Sequence, residues 1–295
     1  MNTICPKCKS EKISKNGKRK TENRGLIQTY KCKECSYRFV IDDGFYRMRN
    51  APEKITLCLD LFYKGISTRQ IQAHLNAFYP HNSSWVSIYK WVVKYADKIT
   101  KFTESLKLKV GKEIQIDEIE IGKRESQYHG WFIDSIDTDT RFMVSTGFKR
   151  NRQLEEVKEV LQNIKDKTEN QVEKITSDGW LAYPNAIQKV YGFSNKTHKL
   201  NIIHNKVTQL KHEGFNHKIE RMHNSIRQRT KTNRGFHGSI ESFNSLMNGY
   251  KIYYNFIRKH MALGKTPSEL ATDIKLNENN KWLELINISA ISSIN

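Results

Sequence analysis

The chain has 295 residues, more than one domain usually holds, with 37% hydrophobic residues and a formal net charge of +19. No run approaches the roughly 18 consecutive apolar residues of a membrane span. Cys and Lys stand near the N-terminus, where a signal peptide would place a hydrophobic segment, so a soluble, intracellular protein with no membrane partner is expected.

The placement of the charge is more informative than its size. Residues 1–50 hold 13 Lys and Arg against 5 acids, residues 196–265 hold 14 against 3, and the remainder is balanced. Charge gathered into two segments calls for two polyanion-contacting surfaces, and nucleic acid is the polyanion that fits.

In chain order, four of the five cysteines come first, as Cys5-x2-Cys8 and Cys32-x2-Cys35 separated by 23 residues. Two such knuckles suit tetrahedral zinc held by four thiolates. Disulfides are the competing use, and nothing marks the chain for export. A zinc ribbon over residues 1–45 is expected, because so short a segment cannot bury a core alone. Tyr30-Lys31 and Tyr37-Arg38-Phe39 supply strand residues. Lys18, Arg19 and Lys20 fall on the loop between the knuckles, positioned to contact DNA phosphates without reading bases.

Residues 46–100 read as three helices. The first runs from Pro52 to Tyr63 and carries Cys58 as a core residue. Ser67 or Thr68 caps the second, with Ile71 and Leu75. The third follows His81-Asn82-Ser83-Ser84, with Val86, Ile88, Trp91, Val92 and Tyr95 at helical spacing. A helix, a Gly65 turn and a capped helix form helix-turn-helix grammar, which would set the third helix toward the major groove of double-stranded DNA; a plain three-helix bundle is the alternative. Residues 99–112 read as a polar linker.

Residues 108–272 change character. Ile114 to Ile121 form a β-rich run around Asp117. Trp131-Phe132-Ile133 and Phe142-Met143-Val144 follow as strands, with a turn at Asp137–Thr140. An amphipathic helix covers Leu154–Ile164. A short strand ends at Asp178, and Gly179 leads into a helix from Trp180. Antiparallel strands followed by strand–helix alternation indicate an α/β domain with a mixed sheet. Further helices are expected around Ile219–Arg229 and from Ile240 to about Met261, the latter stopped by Thr266-Pro267. Residues 273–295 carry no readable pattern and are set apart as a C-terminal tail. The fold class is multidomain α+β.

Three acids have the setting of a two-metal site: Asp117 within the first strand, Asp178 closing a later one, and Glu220 on the helix that also carries Asn224 and Arg227. Two Mg²⁺ or Mn²⁺ ions take oxygen ligands and can act on both oxygens of a phosphodiester. Asn224 would orient a ligand or water, and Arg227, one turn further on, would grip the DNA backbone, with Arg229 and Arg234 beyond it. Glu118 and Glu120 replace Asp117 if the register shifts by one. Asp134, Asp137 and Asp139 read as turn residues. His198, His204, His212, His217 and His223 match no compact ligand spacing and read as solvated or phosphate-contacting.

The order of zinc ribbon, helix-turn-helix and three dispersed acids resembles the DDE transposases of insertion sequences. The similarity rests on Gln115-Ile116-Asp117-Glu118, on Thr176-Ser177-Asp178-Gly179 with Ala182-Tyr183-Pro184-Asn185-Ala186-Ile187, on Glu220 with Arg227 seven residues later, and on Arg234-Gly235-Phe236 and Thr266-Pro267-Ser268-Glu269-Leu270. The resemblance implies an RNase H-like catalytic fold, metal-dependent cleavage of element ends, and strand transfer by a 3′-hydroxyl. Asp117, Asp178 and Glu220 would be the metal ligands, and a homodimer or larger assembly in the cytoplasm, on the nucleoid, would bring two ends together. The 42-residue interval between Asp178 and Glu220 is longer than the resemblance leads one to expect, which makes Glu213 the substitute for Glu220. A non-catalytic DNA-binding regulator and a metal-dependent nuclease without strand transfer are the rival readings.

Overall fold

The computed structural model describes residues 4–22, 24–78, 83–121, 129–207, 216–232, 239–277 and 279–292, with the side chains of 229–232 outside the description. A three-stranded antiparallel sheet opens the chain: β1 (Ile13–Thr21), β2 (Gly25–Cys32) and β3 (Arg38–Phe39). Lys18, Arg19 and Lys20 lie on β1, not on a loop. The strand continues past the first knuckle because Thr21 pairs with Gly25 at a tight turn.

Three helices follow: α1 (Pro52–Tyr63), α2 (Thr68–Phe78) and α3 (Trp85–Thr103). Pro52 suits the first turn of α1, where its missing N–H is not needed. Ser84 caps α3 by accepting from the Ser87 amide. The polar text from Ile99 onward does not break α3, since Ile99 and Thr103 are buried; an extended stretch begins only after Glu104, and Leu108 N donates to Lys167 O.

The sheet that follows has β4 (Glu113–Ile121), β5 (Gly130–Asp137) and β6 (Met143–Lys149) in antiparallel succession. Helix α4 (Leu154–Lys167), strand β7 (Lys174–Ser177) and helix α5 (Ala182–Tyr191) come next. A small hairpin of β8 (Phe193–Ser194) and β9 (Lys199–Leu200) leads to β10 (Ile203–Lys206). The strand order is β10-β7-β4-β5-β6, with β7 parallel to both β4 and β10. Adjacent residues of β5 such as Phe132 and Ile133 are both fully buried, so both faces of the sheet are covered.

Helix α6 (His217–Thr232) crosses β4 and β5. The helix expected from Ile240 to Met261 is shorter: α7 (Ile240–Ile252) passes into a π-helical turn over Tyr253–Ile257, and Arg258 is extended. The turn directs Asn255 at the sheet, where its amide accepts from Met143 N (2.8 Å) and donates to Met143 O (2.9 Å), pairing part of the free edge of β6. Pro267 starts a short helix, α8 (Ser268–Ala271), and stops nothing. Gly249 on α7 sits under Tyr63 so closely that an added Cβ would fall 1.8 Å from its hydroxyl oxygen.

Within 273–295, residues 281–292 form α9 (Lys281–Ser292). Trp282, Leu285 and Ile286 are buried, Trp282 stacks on Tyr63 with centroids 5.4 Å apart, and Asn280 donates to Thr56 Oγ1 at 3.0 Å. The apolar spacing of this segment was hidden by its Asn-rich surroundings, and it completes the helical unit of α1 and α3.

Glu104, at the end of α3, receives both Lys167 of α4 and Lys251 of α7, tying the helices to the sheet domain. Burial holds the Lys167 ammonium down at about 8, and neighbouring Lys251 adds to the shift. Glu104→Gln would leave two buried cations facing each other. Because the carboxylate is about a third exposed, we expect a loss of about 2 kcal/mol in urea unfolding, largely restored by adding Lys167→Met.

Candidate active site

Strands β4 and β7 run parallel, with Gln115 opposite Thr176. Two residues beyond this pair stand Asp117, still within β4, and Asp178, just past the end of β7, so the parallel pairing carries the two carboxylates toward each other. The ladder ends at Thr176, and Asp178 turns out of the sheet, its Oδ1 accepting from Trp180 N at 2.9 Å. Oxygens of Asp117, Glu118 and Asp178 lie within 4.8 Å of one another. Burial raises the Asp178 carboxyl and nearby Asp117 raises it further, while Arg152 and Lys206 pull it back. Converging carboxylate oxygens are the donors that a hard divalent cation takes.

Glu118 stands on the other face of β4 from Asp117. Its two oxygens are held by Arg152 Nη1 (2.6 Å) and the Tyr183 hydroxyl (2.6 Å), and the side chain is almost fully buried. Burial raises its pKa, and Asp178 and Asp117 add to the shift. The Arg152 guanidinium is sandwiched between Trp131 and Trp180, 4.2 and 4.1 Å from the ring centroids. Trp180 Nε1 donates to Arg152 O at 3.0 Å. With both oxygens occupied, Glu118 anchors this assembly.

Asp117 pairs with Asp134 of β5 and shares its face. His223 of α6 lies between them, Nδ1 3.4 Å from Asp117 Oδ2 and Nε2 3.3 Å from Asp134 Oδ2. Asp134 is fully buried and also accepts from Thr146 Oγ1. Burial alone would lower the His223 pKa, but the two carboxylates outweigh it and raise it to about 9. Asp134 is therefore not a turn residue; Asp139 lies in the turn as expected, and Asp137 closes it, accepting from Thr140 N and Oγ1. His223 is not solvated, nor is His204, half-buried and 2.9 Å from Ser177 Oγ. The apolar positions Ile219, Met222 and Ile226 mark the buried face of α6 that carries His223, a signal readable in the sequence. Nothing in the sequence distinguished Arg152.

Glu220 lies one turn before His223, exposed, and is not among the carboxylates within 4.8 Å. Asn224 and Arg227 are also exposed on α6, with Arg227 Nη1 donating to Asn224 Oδ1 at 3.4 Å. The Arg229 side chain, Arg234, His212 and Glu213 lie outside the described residues.

At the other end of the chain, Cys5, Cys8, Cys32 and Cys35 bring their sulfurs within 4.8 Å of one another, with Cys5–Cys35 at 3.5 Å and Cys8–Cys32 at 3.6 Å as free thiols. The residue after each knuckle, Lys9 and Ser36, has a left-handed backbone (φ 61° and 57°), so the two turns repeat one geometry. The Cys35 amide directed at Cys32 lowers that thiol to about 6. Four thiols in this cluster fit zinc.

A mixed sheet of this order with carboxylates converging from adjacent strands defines an RNase H-like catalytic core. Residues 111–261 match the family model DDE_Tnp_IS240, described as a DDE domain. The match spans half of the chain, and the chain belongs to this family of insertion-sequence DDE transposases, which are polynucleotidyl transferases. No curated protein sequence matches it. Among solved structures, the trimeric HTLV-2 integrase catalytic core in complex with magnesium is similar over 56% of this chain and 98% of its own, at 15% identity and TM-score 0.39. The simian T-cell lymphotropic virus intasome in complex with a PP2A regulatory subunit is similar over 70% of each chain, at 13% identity and TM-score 0.38. The Mos1 strand transfer complex covers 83% of this chain and 76% of its own, at 9% identity and TM-score 0.31. Likenesses this distant carry no detail of the site.

His223→Ala would strand the buried Asp134 carboxylate. We expect a loss of about 3 kcal/mol in urea unfolding, with Asp134→Asn in the same chain recovering part of it.

Proposed function

We propose that this transposase binds the terminal repeats of its element as double-stranded DNA and catalyses metal-dependent strand cleavage followed by strand transfer. The observation that carries the reading is the convergence of the Asp117 carboxylate on β4 with that of Asp178 just past β7, within a chain that belongs to the DDE family. Asp117 and Asp178 would hold two Mg²⁺ or Mn²⁺ ions, with Glu220 joining from α6. The ions would supply charge for the attacking and leaving oxygens of the phosphodiester. His223 fixes Asp117 and docks α6, which sets where Glu220 can reach. Asn224 and Arg227, on the same helix and open to solvent, contact the DNA backbone, and Arg229 and Arg234 continue that basic tract.

The four cysteines would bind zinc and fold residues 1–45 as a zinc ribbon. Helices α1 to α3 would serve as a helix-turn-helix unit, with α3 toward the major groove. Lys18, Arg19 and Lys20 contact phosphates from β1. Two element ends held for joining require a homodimer or larger assembly.

The test is cleavage and joining of labelled duplex carrying the element's own ends, with Mn²⁺. Asp178→Ala should lose joined product by at least about a hundredfold. Glu220→Gln should fall similarly while Glu118→Gln keeps metal-dependent cleavage; the reverse pattern would move the third ligand to Glu118. In a separate measurement, Cys32→Ser should lose bound zinc and end-specific binding together. Binding of the ends should also weaken steeply between low and physiological salt, because many phosphate contacts release counterions.

A further inference from the structure

The face of the N-terminal sheet that carries Lys18 and Lys20 also carries aromatic side chains with no role assigned so far. In an antiparallel ladder, paired residues share a face and successive residues alternate. The register pairs Lys15 with Tyr30, Lys18 with Gln28, Lys20 with Leu26, and Tyr30 with Phe39. Lys15, Lys18, Lys20, Tyr30 and Phe39 therefore stand together, while Arg19, opposite Ile27, points the other way.

The aromatic side chains on this face form a row. The Tyr30 and Phe39 rings are stacked at 5.9 Å and 27°, and Tyr37 stacks on Phe39 at 6.3 Å and 13°. Tyr37 ends the row and is 44% exposed, and Leu26 on the same face is 64% exposed. The three lysines are exposed and have no ion-pair partner among the described residues. The principal contacts of β1, β2 and β3 are with one another.

A row of near-parallel rings ending in an exposed tyrosine offers its outer face to one more flat aromatic group. Bases inside a duplex already stack on their neighbours, whereas an unpaired base is free to do so, and base–aromatic stacking flanked by basic side chains is how single strands are held without sequence preference. We propose that this face binds single-stranded DNA, with an unpaired base extending the row on Tyr37 and Lys15, Lys18 and Lys20 meeting the adjoining phosphates. The proposal rests on the DNA-processing reading above and adds to it a second ligand, the single strand, since cutting a strand produces ends that can part.

The test uses the full zinc-loaded chain without Mg²⁺ or Mn²⁺. Fluorescence anisotropy compares labelled oligothymidylate with a blunt duplex of equal length at one salt concentration. Tyr37→Ala should weaken oligothymidylate binding about tenfold and leave duplex binding unchanged, and Tyr37→Phe should retain both. Lys18→Ala combined with Lys20→Ala should weaken single-strand binding and lower its salt dependence. Zinc content and the circular dichroism spectrum check that each variant is folded. No loss in Tyr37→Ala, or equal loss on both ligands, overturns the proposal. Tighter binding of a matched oligouridylate RNA overturns the choice of DNA. Asp178→Ala separates the two readings: it should keep oligothymidylate binding, and if it also kept strand joining, the catalytic assignment would fall while the single-strand site stood.

Discussion

Parallel pairing of β4 with β7 leads Asp117 and Asp178 to one place, and Asp134 is carried alongside Asp117 by β5. Acids gathered this closely in a buried sheet repel one another and destabilise the fold unless cations answer them. The protein supplies His223 between Asp117 and Asp134, Arg152 against Glu118, and Lys206 near Asp178. The remaining negative charge is what a divalent ion would neutralise.

Each countercharge also fixes a piece of backbone. His223 docks α6 across β4 and β5. Arg152, gripped by two indoles and Glu118, sets the entry to α4, and Trp180 and Tyr183 tie the start of α5 to the same assembly. Helices α4, α5 and α6 are thus oriented by the acids at the site. At the far side, the Glu104 carboxylate and its two lysines join α3 to α4 and α7.

Strand and helix types were legible from periodicity, as were the cysteine knuckles, because these depend on local pattern. Asp117 and Asp178 stood out because each lies in or closes a β-prone run. What escaped depends on tertiary pairing. By sequence Asp134 reads as a turn residue and His223 as one of a polar histidine series; their burial against each other gives both another role. Arg152 has no local signature, since its partners Trp131, Trp180 and Glu118 come from three separate segments. The last helix was lost among asparagines although Trp282, Leu285 and Ile286 keep helical spacing. The sheet face shared by Lys18 and Lys20 but not Arg19 follows only from the register of β1 against β2.

The most direct measurement is a crystal structure of the chain soaked with Mn²⁺, using its anomalous signal to locate the ion. The account predicts Mn²⁺ bound between the carboxylates of Asp117 and Asp178, with Glu118 still holding Arg152 and Tyr183. Manganese seated on Glu118 with Arg152 displaced, or absent from both aspartates, would contradict it.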